Sequence, residues 1–143
     1  MTRSRLHYER LRAEMVADQI QGRGVQSPAV LAAMLKVERE NYVPAWQREH
    51  AYEDAPLRIE EGQTVSQPYT TASMLDALEL KATDQVLEIG TGSGYAAAVL
   101  AEIVHSVFTI ERHERLALLA AERLRREDRK STRLNSSHTV ISY

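Results

Sequence analysis

Val86-Leu-Glu-Ile-Gly-Thr-Gly-Ser-Gly94 is the stretch on which the fold turns. An apolar run breaks abruptly into alternating glycines, and the alanine-rich Tyr95-Ala-Ala-Ala-Val-Leu-Ala101 follows at once. The pattern predicts a buried strand, a tight turn and a helix that starts at the turn. Glycine suits such a turn because a side chain would hold a ligand away from the main-chain N–H groups at the helix start. Downstream, Val107-Phe-Thr-Ile110 reads as a second strand and ends in Glu111. That acid falls about 20 residues beyond the first glycine, where nucleoside-binding βαβ units carry a carboxylate for ribose hydroxyls.

The spacing of the glycines separates cofactors. A dinucleotide fingerprint, G-x-G-x-x-G, seats a pyrophosphate on the helix end. Here the third glycine comes one residue early (Gly90, Gly92, Gly94), and Tyr95 stands where the fingerprint wants glycine. This disfavours a nicotinamide-dependent oxidoreductase. A G-x-G-x-G turn after Leu-Glu-Ile resembles instead the first motif of S-adenosylmethionine-dependent methyltransferases. Read without that resemblance, the same glycines could simply close a βα corner.

Working outward, the 143 residues suffice for one domain with a real core. Hydrophobic residues make up 43% and charged residues 27%, an ordinary soluble composition. A formal charge of −2 offers no basic field for nucleic acid or an anionic membrane. No apolar run is long enough to span a bilayer, and the N-terminus shows no secretory signal. The absence of cysteine excludes thiolate chemistry and disulfides and fits a cytoplasmic protein. His7, His50, His105, His113 and His138 lack metal-ligand spacing, so no metal is expected.

Along the chain, apolar residues at helical spacing predict an amphipathic helix over 5–21, stopped by Gly22-Arg-Gly24. Ser27-Pro28 then opens a second helix carrying Val30, Leu31, Met34, Leu35 and Val37. Residues 39–62 read as loop with short elements, in which Tyr42 and Trp46 pack the N-terminal region. Helical spacing resumes over 71–80. Strands are expected at 85–89 and 106–110, with helices over 94–103 and 113–126. Two successive βα units imply a parallel sheet. The fold class is therefore α/β, with an α-helical N-terminal extension over 1–80 and a βαβα cofactor-binding unit over 84–127.

The segments before the glycines narrow the reading. Met15-Val-Ala-Asp-Gln-Ile20, Arg23-Gly-Val25, Val37-Glu-Arg-Glu40, Tyr42-Val-Pro44, Ala51-Tyr-Glu-Asp54 and Gly62-Gln-Thr-Val-Ser-Gln-Pro-Tyr69 occur in this order ahead of the turn. As a series they resemble the N-terminal part of protein-L-isoaspartate O-methyltransferases, with Gly62–Pro68 the most specific element. The resemblance implies a Rossmann-like fold, S-adenosyl-L-methionine as cofactor, and isoaspartyl-containing proteins and peptides as substrates. It implies a monomer and assigns Ser66 the hydroxyl that orients the substrate carboxylate. It places Gln63, Thr64, Val65 and Tyr69 beside the cofactor, with Gly90, Thr91, Gly92, Gly94 and Glu111 holding it. Ser66 read by itself is the cap of the next helix. Glu88, inside an apolar strand, either faces the cofactor or answers an arginine such as Arg112. Tyr52 and Asp54 resemble positions on the peptide-binding side, although Asp54 before Ala55-Pro56 also suits a turn.

The chain departs from the family pattern after Glu127. The family continues through further strands and helices, which implies a truncated methyltransferase fold here. Residues 128–143 show no strand or helical period and read as a non-native tail. A sheet cut short leaves an edge open, so marginal stability and weak cofactor affinity are expected. The competing reading is a catalytically inactive fragment that binds a nucleoside or a partner chain.

Overall fold

The computed structural model describes residues 3–128 and 139–142 of the chain. The N-terminal helical path begins as α1 (Arg3–Glu14) and widens into a π-helical turn over Met15–Ile20 before a short 3-10 turn over Gln21–Arg23. The widening places Met15, Val16 and Ile20 together in the core. Helix α2 (Pro28–Lys36) starts as its sequence requires: the Ser27 hydroxyl accepts the Val30 N–H at 3.3 Å, and Pro28 occupies the first turn. Of the apolar residues expected on α2, Val30 and Met34 are buried, whereas Leu35 is exposed.

Residues 39–62 hold three 3-10 turns and the first strand of a small antiparallel hairpin, β1 (Leu57–Arg58) with β2 (Thr64–Val65). Tyr42 is buried and its ring lies 6.0 Å from that of Tyr95, but Trp46 is exposed and does not pack the N-terminal region as its sequence suggested. Helix α3 (Pro68–Ala77) begins and ends three residues earlier than its apolar spacing implied, because Pro68 fits a first turn.

The main sheet is parallel, in the order β3 (Gln85–Ile89), β4 (Ser106–Glu111), β5 (Thr139–Ser142). Helix α4 (Tyr95–Ala101) connects β3 to β4 and packs on β4 and α2, while α5 (Glu114–Asp128) packs on β4 and β5. Strand β5 is a departure from the sequence reading, which found no strand beyond Glu127. Its β-branched run Thr139-Val-Ile suits a pleated edge, and it covers β4. Of the two edge strands among the described residues, β3 and β5, β3 carries an exposed apolar pair: Leu87 and Ile89 are 58% and 74% exposed. The remaining residues 129–138 of the expected tail lie outside the described residues.

Candidate functional site

The site is built where β3 and β4 end side by side. Ile89 pairs with Ile110, so Gly90 follows the last rung of one strand as Glu111 follows that of the other. The Ile110 carbonyl accepts both the Gly90 N–H (2.7 Å) and the Thr91 N–H (3.1 Å). The Glu111 carboxylate then reaches across the bend: its Oε2 accepts the Gly92 N–H at 2.9 Å and its Oε1 the His113 N–H at 3.0 Å. The Gly94 N–H donates to the Thr91 carbonyl at 2.9 Å. The amides of Gly90, Thr91, Gly92 and Gly94 are thus satisfied by the protein itself. This corrects the expectation of bare main-chain N–H groups awaiting a ligand.

What the glycines supply is shape. Gly90 has φ 92°, and a Cβ built on it meets nothing within 4 Å, so the space above the bend is open. Gly94 has φ 88°, and a Cβ there would lie 3.4 Å from Leu124 Cγ and 3.5 Å from Ala120 Cβ. Those are ordinary contacts, so what glycine supplies there is the positive φ at the head of α4, and Gly94 lines neither of the concavities beside the bend.

Two concavities flank the bend. The first, about 340 Å³, is walled by Thr64, Val65 and Ser66 from β2 and the segment after it, by Met74 and Leu78 from α3, and by Glu88, Gly90 and Thr91. The second, about 280 Å³, is lined by Gln63, Thr64, Gly90, Gly92, Glu111 and Arg112 among others. Of the sequence-derived candidates, the structure gathers Gln63, Thr64, Val65, Ser66, Glu88, Gly90, Thr91, Gly92 and Glu111 around one bend. Gly94 and Tyr69 are the exceptions. For Tyr69 the reason is its partner. Its ring stacks under the Arg23 guanidinium, 4.0 Å from Cζ, and lines neither concavity. Arg23 in turn grips Asp54 with two contacts of 3.0–3.1 Å, making a surface cluster. Tyr52 is buried between Arg12 and Glu40, so it presents nothing to a peptide.

Both alternatives left open by the sequence are decided. Ser66 is not a helix cap: Gln67 holds that position, with no side-chain cap bond, and α3 starts at Pro68. The Ser66 hydroxyl is exposed and has no hydrogen-bond partner among the described residues. Glu88 does not answer Arg112, whose Nε meets His113 Nε2 at 3.3 Å. Glu88 Oε2 instead accepts the Thr109 hydroxyl at 2.6 Å, and Thr109 Oγ1 lies 2.6 Å from Thr91 Oγ1. Burial pushes the Glu88 carboxyl up to about 7, with the nearby Glu111 charge adding to the rise and the Thr109 hydrogen bond opposing it. A pair of carboxylates, Glu88 and Glu111, marks this bend, and Arg112 is a cation that lines the second concavity beside Glu111.

Two arginines that sequence reading passed over hold the Gln63–Ser66 segment in place. Arg123 Nη2 meets Glu60 Oε1 at 2.7 Å, pinning the β1–β2 turn to α5. Arg39 is fully buried: its Nε donates to the Ala51 carbonyl at 2.7 Å and its Nη2 to the Ser66 carbonyl at 2.9 Å. Neither is visible in a sequence, since arginine ordinarily signals a solvated surface. Among the described residues no cluster of acidic residues and histidines suits a metal ion, and no helix is long and apolar enough to cross a membrane.

The sequence model of the family described as protein-L-isoaspartate(D-aspartate) O-methyltransferase matches residues 10–141. The chain belongs to this family. Its relatives within the family include protein-L-isoaspartate O-methyltransferase 2 of Pelobacter propionicus, 60% identical over 110 residues, which are 77% of this chain and 49% of that protein. Another, protein-L-isoaspartate O-methyltransferase 1 of Rhodopseudomonas palustris, is 57% identical over 79% of this chain and 46% of its own length. The chain spans about half the length of these family members. Among solved structures, a protein-L-isoaspartate O-methyltransferase superposes with TM-score 0.78 at 24% identity, over 92% of this chain and 41% of that one, which shows the shared fold. A Plasmodium falciparum member described as a beta-aspartate methyltransferase, solved with S-adenosyl-L-homocysteine, gives TM-score 0.74 at 25% identity over 94% and 62% of the two chains. The architecture is accordingly α/β, that of the Rossmann-like methyltransferases.

Proposed function

We propose that the chain carries the cofactor-side half of a protein-L-isoaspartate O-methyltransferase site, acting on the carboxylate of L-isoaspartyl residues in aged proteins. One observation carries this reading: the unpartnered Ser66 hydroxyl and the glycine bend wall the same cleft. Membership of the family supports it.

The residues present fit S-adenosyl-L-methionine. Glu111 spends two acceptor positions on main-chain N–H groups. A carboxylate offers about four, so roughly two remain for ribose hydroxyls. Glu88, whose hydrogen-bond partner is the Thr109 hydroxyl and not a cation, stands near Glu111 at the bend, and this pair suits a positively charged ligand. When bound, S-adenosyl-L-methionine supplies a methyl group on a cationic sulfur. A substrate carboxylate is already anionic near pH 7, so no general base is needed. The chain's own work is alignment and exclusion of water. Ser66 donates a hydrogen bond that orients the substrate carboxylate, and Thr64 and Val65 form the wall behind it. Gly90 leaves room at the bend, and Thr91 is held by the Thr109 hydroxyl. We further place this work in the cytoplasm, with the monomer as the acting unit and association through the β3 edge confined to high concentration; the lack of cysteine supports the reducing compartment. The division at residue 127 with a non-native tail beyond it remains our proposal for the chain's organisation.

The exposed apolar edge of β3 favours a second reading, a partner-binding fragment without turnover. Methyl transfer from labelled S-adenosyl-L-methionine to an isoaspartyl peptide separates the two. Transfer that is lost in Ser66→Ala supports the enzyme. Cofactor binding without transfer by the wild-type chain overturns it in favour of the second reading.

A further inference from the structure

Among the described residues Arg39 is the most deeply buried charge, with no exposed surface at all. Burying a guanidinium is costly unless its donors are used. Its Nε holds the Ala51 carbonyl and its Nη2 the Ser66 carbonyl. Its Cζ lies 4.6 Å from the centre of the Tyr95 ring, the first residue of α4 and the one that follows the glycine bend. Tyr95 is itself buried, with its hydroxyl 3.4 Å from Met34 Sδ. One rigid fork therefore connects the segment that bears the Ser66 hydroxyl with the helix that grows out of the bend. No backbone hydrogen bond is seen between these two segments, and β2 is only two residues long. A strand that short does little to fix the residue beyond it.

We propose that Arg39 is a positioning residue for methyl transfer: its two carbonyl contacts and its seat on Tyr95 set the distance between the Ser66 hydroxyl and the glycine bend. This deepens the functional reading given above and rests on it for the word transfer. The geometry itself does not. Arginine is required because its planar fork can serve two carbonyls while its face lies on a ring; a lysine ammonium is a single point donor.

The chain has no cysteine, so Ser66→Cys and Leu118→Cys each create a single attachment point for a nitroxide spin label. Leu118, exposed on α5 and remote from the fork's contacts, serves as the control. With each label in the full chain, Arg39→Met and Arg39→Lys are compared with the parent by electron paramagnetic resonance. The expected result is a label at position 66 that becomes mobile in both variants while the label at 118 keeps its spectrum. An unchanged spectrum at 66 in either variant overturns the proposal, as does equal loosening at both positions, which marks a merely structural arginine. Should Arg39→Met lose its cooperative melt, Arg39→Lys decides by the same criteria. In a chain with Ser66 intact, Arg39→Lys should lower kcat for an isoaspartyl peptide by about a hundredfold, the loss that misplacement by an ångström brings. The dissociation constant of S-adenosyl-L-homocysteine should not move. If the parent transfers no methyl at all, the functional reading falls, whereas the label at 66 still decides the positioning.

Discussion

The carboxylate of Glu111 accepts the main-chain N–H of Gly92 at 2.9 Å, closing the bend between β3 and α4 from the end of the neighbouring strand. This contact makes Glu111 a structural member of the bend, in addition to the ribose-binding role proposed for it. Glu111→Ala leaves the half-buried Gly92 and His113 N–H groups without their acceptor, at a cost of about 1 kcal/mol each, the low end of the range for buried groups. Glu111→Ala should therefore unfold at lower denaturant concentration, while Glu111→Gln, which keeps one acceptor oxygen, should lose about half as much. Urea titration followed by circular dichroism reads the difference. Equal stability of both variants and the parent would remove Glu111 from the bend's framework.

Gly94 and Gly90 should respond differently to alanine. Both have positive φ, which costs a residue with a Cβ about 1–2 kcal/mol. At Gly94 the new methyl would rest in ordinary van der Waals contact with Leu124 and Ala120 of α5, whereas at Gly90 it would stand in the open space above the bend. Both variants should lose stability through backbone strain alone, and Gly90→Ala should in addition weaken ligand binding. Denaturation midpoints together with calorimetric titration of S-adenosyl-L-homocysteine check the pair.

The Glu88 carboxyl, raised to about 7 by burial, gives the stability a defined pH dependence. Its folded value stands above the unfolded one near 4.5, so the native state holds the proton more tightly there. The stability this contributes is present in full below about pH 4.5 and is lost as pH rises through about 7. Glu88→Gln should abolish that part of the slope. A cationic ligand reverses the preference, because it favours the ionised carboxylate. S-adenosyl-L-methionine, with its charged sulfur, should therefore bind more tightly at pH 8 than at pH 5.5, and neutral-sulfur S-adenosyl-L-homocysteine should show a shallower dependence. Parallel pH profiles for the two ligands would contradict this.

The uncovered side of β3 should drive association. Leu87 and Ile89 are exposed on an edge strand, and Met74 and Leu78 of α3 lie exposed along the same cleft. An apolar edge with unpaired main-chain groups invites another chain. Sedimentation velocity should show mass growing with concentration, and Leu87→Lys should reduce it. A monodisperse monomer at high concentration would show that the edge is protected.

Much of this was legible in the sequence because two strong local patterns coincide. The apolar run 85–89 with its glycines fixes β3 and the bend, and Ser27-Pro28 fixes the start of α2. The positions gathered round the bend follow from register: Ile89 opposite Ile110 puts Gly90 and Glu111 together. Other features leave no local trace. Tyr69 follows Pro68 directly in the first turn of α3 and stacks on Arg23, a direction that spacing cannot give. The π-helical turn over Met15–Ile20 looks like ordinary helix in its apolar spacing. Arg39 and Arg123 are tertiary tethers whose partners lie 27 and 63 residues away, at Ser66 and Glu60. Strand β5 lies in a stretch whose polar neighbours hide a three-residue β-branched run, Thr139-Val-Ile.

Isothermal titration of the full chain with S-adenosyl-L-homocysteine tests the central claim most directly. Saturable one-to-one binding that survives Ser66→Ala but is lost in Glu111→Gln is the result this account predicts. A cooperatively folded chain that gives no binding heat, or one whose affinity is untouched by Glu111→Gln, would contradict it.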